Sequence, residues 1–396
     1  MQPVFEQIQG YIDSHRAPML ELWRELVDTE SGVMCPEDVA DVAAILRREM
    51  EEMGLKVRIV PMEQAGDVLV GEWDNGSSKA PMLFIGHMDT VFKHGTVAEN
   101  PFRIDDEGYA HGPGVLDMKA GVVIALYAVR ALMDAGYTGR PVKIVLAGDE
   151  EHLHMRSHAR EVLFQEVAGC YAAFNFETGY PNEHFVVGRN GGGIVEIAVH
   201  GVSAHSGLAP EKGRSAIVEA SHKIIEIESQ TDIPRGRLMN CGLVSGGLGE
   251  NTVPDSCKIR VGIRFPSTQI KDEIMEILQK AADHSTVPDT WAELKVDMFM
   301  DCMDDTPDVY ALFEHVKQTA ADCGYGAIEC FRVGSVSDSG ITVTAGVPTL
   351  CGMGARGTGN HTPNEVAQVE SLYERCVLAA CAVYALKDGL FTGTEK

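Results

Sequence analysis

Met118 to Ala135 reads MKAGVVIALYAVRALMDA, a helix that is apolar on nearly every side and so has to be buried. The stretch leading into it, Pro81 to Gly121, carries the first signs of chemistry. Its apolar run Met82 to Ile85 is predicted as a buried strand that delivers His87 and Asp89 at its C-terminal end. A polar, Gly-rich excursion follows. Then Gly112-Pro113-Gly114-Val115-Leu116-Asp117 presents one more carboxylate just before the helix. In an open α/β sheet, ligands bind outside the carboxyl ends of the strands. An imidazole and carboxylates converging there suit a divalent cation.

The rest of the chain repeats this logic. Helical spacing runs from Val4 to Val27 and from Pro36 to Met53, the latter with Pro and acids in its first turn and Gly54 just past its end. Lys56–Val60 and Asp67–Trp73 are predicted strands. Val142–Ala147 is another, ending in Gly148-Asp149-Glu150-Glu151, and Ala172–Phe176 ends at Glu177. Ser157–Val167 is predicted as a helix between them. From about Gly191 the texture changes to strand Gly193–Val199, helix Pro210–Ile227, strands Asn240–Ser245 and Cys257–Arg264, helix Lys271–Ala282 and strand Glu293–Met300. That order is the ferredoxin-like β-α-β-β-α-β unit. After Asp301, helix Asp308–Cys323, strand Ile328–Phe331 and a final helix Val366–Leu386 resume the α/β pattern. The expected fold is α/β: a mixed-sheet domain of residues 1–189 and 303–396, interrupted by an inserted α+β domain of residues 190–302.

Composition narrows the function. With 58 Asp and Glu against 33 Lys and Arg, the formal net charge is −25, which argues against nucleic acid or an anionic membrane as a main partner. No apolar run approaches the length of a membrane span, and Met1 to Leu20 lacks a basic region followed by an apolar core. The 10 cysteines are scattered singly, with no Cys-x-x-Cys pair, as expected of reduced thiols in a cytoplasmic protein.

The candidate metal ligands are His87, Asp117, Glu151, Glu177 and His361, with Asp89 and Glu150 as neighbours. Singly, each acid reads as a helix cap or a solvated charge. Together they fit a dinuclear site in which one carboxylate bridges and each metal adds one His and one carboxylate. Two metals about 3.5–4 Å apart can clamp both an attacking water and a polarised carbonyl. Zinc suits a mixed nitrogen and oxygen shell better than magnesium or calcium. Asp89, two residues beyond His87 on the same strand face, is expected to orient that imidazole. Of the doublet Glu150-Glu151, one can ligate while the other acts as general base.

These runs, continued by Ser203-Ala204-His205-Ser206-Gly207, Asn251-Thr252-Val253-Pro254 and His361-Thr362-Pro363-Asn364-Glu365, resemble the dinuclear-zinc aminoacylase/carboxypeptidase metallopeptidase family over nearly the whole chain. That family includes glutamate carboxypeptidase, whose pattern is the most similar, with acetylornithine deacetylase, succinyl-diaminopimelate desuccinylase and tripeptidase T. The resemblance implies two zinc ions per subunit, with cobalt or manganese as substitutes. Asp117 bridges them across a cis peptide to Met118, His87 and Glu177 complete one, and Glu151 and His361 complete the other. It makes Glu150 the general base and the inserted domain a lid and dimerisation domain. It makes His205 an oxyanion stabiliser that reaches a partner subunit's site, and places Asn251 and Arg264 at the substrate carboxylate.

The chain departs from the pattern after the acidic doublet, where His152, His154 and His158 replace a Gly/Ser-rich turn and are expected to shape the substrate pocket. Thr178 to Val187 lacks the lysine and serine contacts of the glutamate-specific enzyme, so strict specificity for a C-terminal glutamate does not carry over. Arg189 and Arg356 are further candidate carboxylate binders. The function expected is zinc-dependent hydrolysis of a small peptide or N-acyl amino acid by a metal-activated water, in the manner of a carboxypeptidase. A deacylase or other C–N amidohydrolase of the same family is the alternative. A non-catalytic binding homologue is a third reading, against which the retained Glu150 speaks.

Overall fold

Three short strands rich in Val, Ile, Leu, Phe and Ala set the frame: Met82–His87, Val142–Gly148 and Ala172–Asn175. They are parallel neighbours, with His87 paired to Ala147 and Ile85 to Asn175, so their carboxyl ends emerge along one edge. Buried on both faces, they show the continuous apolar runs that a covered parallel sheet requires. In the computed structural model, which describes residues 1–391, they lie inside an eight-stranded mixed sheet. Its order is Lys56–Val60, Gly66–Trp73, Val142–Gly148, Met82–His87, Ala172–Asn175, Thr349–Cys351, His184–Arg189 and Glu329–Val333.

Alternation along the strands divides the core between two faces. Leu83, Ile85, Val145, Ala147 and Ala173 pack with Ala159, Val162 and Leu163 of helix Ala159–Val167 and with Ile341 of Ser339–Thr344. Phe84 turns to the other face, against Phe174 and Phe176. The buried helix Ala120–Asp134 contacts the Met82–His87 strand and packs along the last helix, Val369–Tyr384. Each fully buried Leu, Ile or Phe in such a core contributes roughly 1.5–3 kcal/mol. This first unit comprises Met1–Gly188, Asp305–Val333 and the described chain from Ser337 on.

The second unit comprises Arg189–Asp304 and Gly334–Val336. Its four-stranded antiparallel sheet has the order Leu238–Gly246, Ser256–Phe265, Gly191–His200, Trp291–Met300, which is the ferredoxin-like order. Helices Ala216–Ser229 and Thr268–Asp283 cover one face of it, with Val195, Ile197, Ile259 and Ile263 meeting Ala220, Ile274 and Leu278. The Gly334–Val336 segment, which the sequence assigns to the first domain, belongs here because Arg189 donates to Ser335 Oγ and to the Val336 carbonyl.

Four elements differ from the sequence reading. The expected first helix is two, Gln2–Ser14 and Arg16–Val27, parted at His15. Pro18 in the first turn of the second lacks the N–H that would continue the first and would crowd the Ser14 carbonyl. The expected helix from Pro210 begins at Ala216, capped by Ser215 Oγ, because Gly213 is extended. The buried helix starts at Ala120 rather than Met118, since Asp117 and Met118 have non-helical dihedrals. The final helix starts at Val369, because Val366–Gln368 pairs as a strand with Tyr109–His111 and Gly357–Thr358. Among the described residues no helix is long and apolar enough to cross a membrane, and all ten cysteines are free thiols.

Candidate metal centre

The carboxyl ends of the three parallel strands carry most of the candidate ligands. His87 ends one strand, Glu150 and Glu151 lie in the turn after Gly148, and Glu177 lies two residues past Asn175. Asp117 enters from the wide turn Val115–Lys119, which Gly114 opens with a φ of 70° that a residue with a Cβ rarely adopts. The Asp117–Met118 peptide is cis. His361, also at positive φ, enters from the loop after Gly357–Thr358.

These side chains form two groups of possible cation ligands, His87–Asp117–Glu177 and Asp117–Glu151–His361, the ligand atoms of each lying within 4.8 Å of one another. Asp117 belongs to both and divides its oxygens between them. Oδ1 is 3.3 Å from His87 Nε2, and Oδ2 is 3.3 Å from His361 Nε2. His87 Nε2 also faces Glu177 Oε1 at 3.8 Å, and His361 Nε2 faces Glu151 Oε2 at 3.0 Å. His87 Nδ1 lies 3.0 Å from the Asp89 carbonyl. A carbonyl can only accept, so that nitrogen carries the proton and Nε2 is left as the ligand atom.

Buried acids at this density are costly unless something compensates them. Burial, reinforced by Glu177, Asp338 and Glu151, drives the Glu150 carboxyl well above its ordinary range even though His87 opposes the shift. Burial likewise raises Glu151, against its bond to His361. Burial would raise Asp117 too, but its bonds to His361 and His87 outweigh this and hold it low. His361, bonded to Asp117 and Glu151, is pushed up to about 11. Burial would lower His87, yet Asp117 and Asp89 hold it well above its usual value. The field that strengthens proton binding at these imidazoles strengthens binding of a divalent cation at the same atoms. Glu151 Oε1 is buried with no hydrogen-bond partner, and the donor set is the mixed nitrogen and oxygen shell that zinc accepts. The residues therefore fit a pair of cations.

Supporting groups fix the ligands. The Asp89 carboxylate does more than face His87, whose Nδ1 is 3.5 Å from Oδ1. It accepts the backbone N–H of Glu150 and of Glu151, seating that turn. Glu365 Oε1 accepts the N–H groups of Leu116 and Asp117 at 2.7 and 2.9 Å, and Asn360 donates to Asp117 Oδ2 and to Thr178 Oγ1. Sequence reasoning gave Glu365, Asn360 and Thr178 no role. Glu365 stood inside a quoted motif, but its partners are 248 and 249 residues away.

The remaining candidates divide. Arg356 is not available to a substrate carboxylate: Glu183, Glu374 and Gln368 engage its guanidinium. Arg189 is buried and donates to Ser335 Oγ and to the Val336 carbonyl. His154, expected to shape a pocket, is buried between Asp149 and Asp338. His158 is exposed ahead of helix Ala159–Val167, and His152 is half-buried. In the second unit His205, Asn251 and Arg264 are exposed. His205 Nδ1 accepts from the amides of Gly207 and Leu208, which places its proton on Nε2, where it can donate outward.

Comparison with known proteins agrees with this architecture. The chain is 25% identical over 378 residues to carboxypeptidase G2 of Pseudomonas sp. strain RS-16, covering 94% of this chain and 90% of that protein. It is 25% identical to acetylornithine deacetylase of Myxococcus xanthus over 217 residues, 52% of this chain and 55% of the relative. The aminopeptidase PepT of Bacillus cereus superposes with a TM-score of 0.68 at 21% identity, over 93% of this chain and 98% of that one. An M20 family metallo-carboxypeptidase of Sulfolobus solfataricus does so with a TM-score of 0.66 at 15% identity, over 93% and 99%. The model of Peptidase family M20/M25/M40 matches residues 83–385, and the chain belongs to that family as a hydrolytic enzyme for peptide or acyl-amino-acid bonds.

Proposed function

We propose that this chain is a cytoplasmic dinuclear-zinc hydrolase that removes a terminal residue from a small peptide or the acyl group from an N-acyl amino acid. The observation that carries this reading is the division of Asp117 between two ligand groups, each with one imidazole and one further carboxylate. His87, Asp117 and Glu177 would hold one zinc, and Asp117, Glu151 and His361 the other. Cobalt or manganese could substitute. Bound there, the metals supply Lewis acidity and a nucleophilic water at neutral pH.

The chain's own residues do the rest. Glu150, left out of both ligand groups and raised by burial, accepts the proton of the attacking water and returns it to the departing nitrogen. Asp89 keeps the doublet in place through its two amides. His205, with its proton on Nε2, is suited to donate to the oxyanion in a partner subunit's site, and Arg264 and Asn251 to bind a substrate carboxylate.

The inserted unit is read as lid and dimerisation domain. Its edge strand Leu238–Gly246 exposes Leu243 (67%), and the adjoining helix Ala216–Ser229 exposes Ile225 (70%). Apolar residues on an open strand edge suit a two-fold pairing with a second copy. The relative named as a carboxypeptidase spans most of the chain, which favours the peptidase reading, and the acetylornithine deacetylase keeps deacylation as the second. A panel of dipeptides, N-acyl amino acids and pteroyl-type glutamates, assayed with zinc, separates them. Glu150→Gln should lower turnover by roughly 10²–10⁴-fold while metal content stays unchanged. Retained turnover would remove Glu150 from the role of base.

A further inference from the structure

The loop after the acidic doublet carries a device that the ligand set does not use. His154 is buried, with Nδ1 2.7 Å from Asp149 Oδ1 and Nε2 2.8 Å from Asp338 Oδ1, and both carboxylates are buried as well. Neither acid is among the candidate ligands. Two ring nitrogens facing two carboxylates both donate, so the ring is a cation shared between them. Asp149 is further held through Oδ2 by the Ser157 hydroxyl. The backbone closes the same turn: Leu153 N–H donates to the Glu150 carbonyl at 2.7 Å and His154 N–H to the Asp149 carbonyl at 3.2 Å. Leu153 and His154 both adopt positive φ, unfavourable for their side chains, so the surroundings have to impose that conformation.

On its far side the bridge reaches the Glu177 ligand. Asp338 precedes Ser339, whose Oγ accepts from Asn175 Nδ2, and Asn175 Oδ1 in turn accepts the backbone N–H of Glu177. Asp89 seats the start of the Glu150–Glu151 turn, and His154 pins its end to the segment that also orients Glu177.

We propose that His154 is a positioning residue that clamps the Glu150–Glu151 turn to Asp338 and so sets the base and its neighbouring ligand relative to Glu177. The inference rests on the hydrolase reading above, and its test separates the two. His154→Gln, Asp338→Asn and the double variant are compared with the parent for kcat, KM, bound zinc and amide exchange of the metal-free protein. Each single change should lower kcat about ten- to a hundredfold, the loss typical of a small misplacement of reacting groups, with KM nearly unchanged. The double variant should lose no more than the worse single, because both remove one bridge. Amide exchange at Leu153 and His154 should accelerate in the metal-free variants. Additive losses, a rise in KM with kcat kept, or unchanged exchange would overturn the clamp. If His154→Gln does not fold, Asp338→Asn, which keeps the side-chain shape, carries the same comparison. If the parent hydrolyses no substrate, the hydrolase reading fails, and exchange in the metal-free variants still decides whether the clamp exists.

Discussion

Glu365 shows how one side chain can govern a centre it does not ligate. Its carboxylate holds two consecutive amides of the Asp117 turn, and burial pushes it up to about 8 even though those amides oppose the shift. Glu365→Ala should free the turn and weaken metal binding about ten- to a hundredfold, as loss of a ligand's supporting partner typically does. Competition against a chromogenic chelator measures this, and unchanged affinity would leave Glu365 as scaffold. His154 makes a pH prediction. Burial alone would depress it, but Asp338 and Asp149 raise it well above its ordinary value. A raised imidazole stabilises the fold fully below the unfolded value of about 6.5, and that contribution disappears as pH rises through the folded value. The melting-temperature advantage of the parent over His154→Gln should therefore be largest at about pH 5.5–6.5 and shrink in alkaline buffer. Three of the five ligand candidates, His87, Glu151 and Glu177, were legible because they pair chemistry-bearing side chains with strand ends. Glu365, Asn360 and the His154 bridge were not, because each works through a partner that no local pattern points to.

At the level of elements, periodicity located the buried strands and the ferredoxin-like order, because burial on one or two faces leaves a direct trace in the chain. It failed where the trace is ambiguous. Val366–Gln368 extends a helical apolar stripe by chance, yet is held as a strand by Tyr109–His111 and Gly357–Thr358. His184–Arg189 and Thr349–Cys351 went unrecognised because short runs owe their pairing to distant neighbours. For Arg356 the sequence shows a guanidinium but not Glu183 and Glu374 already beside it. The exposed edge strand supports a prediction of its own. Leu243→Lys should convert a dimer to monomer in sedimentation, since an edge lysine blocks strand pairing. An unchanged mass would move the interface elsewhere.

For the molecule as a whole, a strand-end acid cluster sits in a fold that relatives named as peptidases share. Its acids are too crowded to be comfortable alone, so metal binding should stabilise the native state. Zinc added to the metal-free protein should raise the melting temperature by an amount that grows with free zinc concentration. Asp117 is proposed to serve two cations at once. Titration of the metal-free chain with zinc by calorimetry tests it most directly. The expected result is two zinc ions per parent chain, one in His361→Ala, and neither held at comparable affinity in Asp117→Asn. A parent chain that binds one zinc or none, or an Asp117→Asn chain that still binds two, would contradict it.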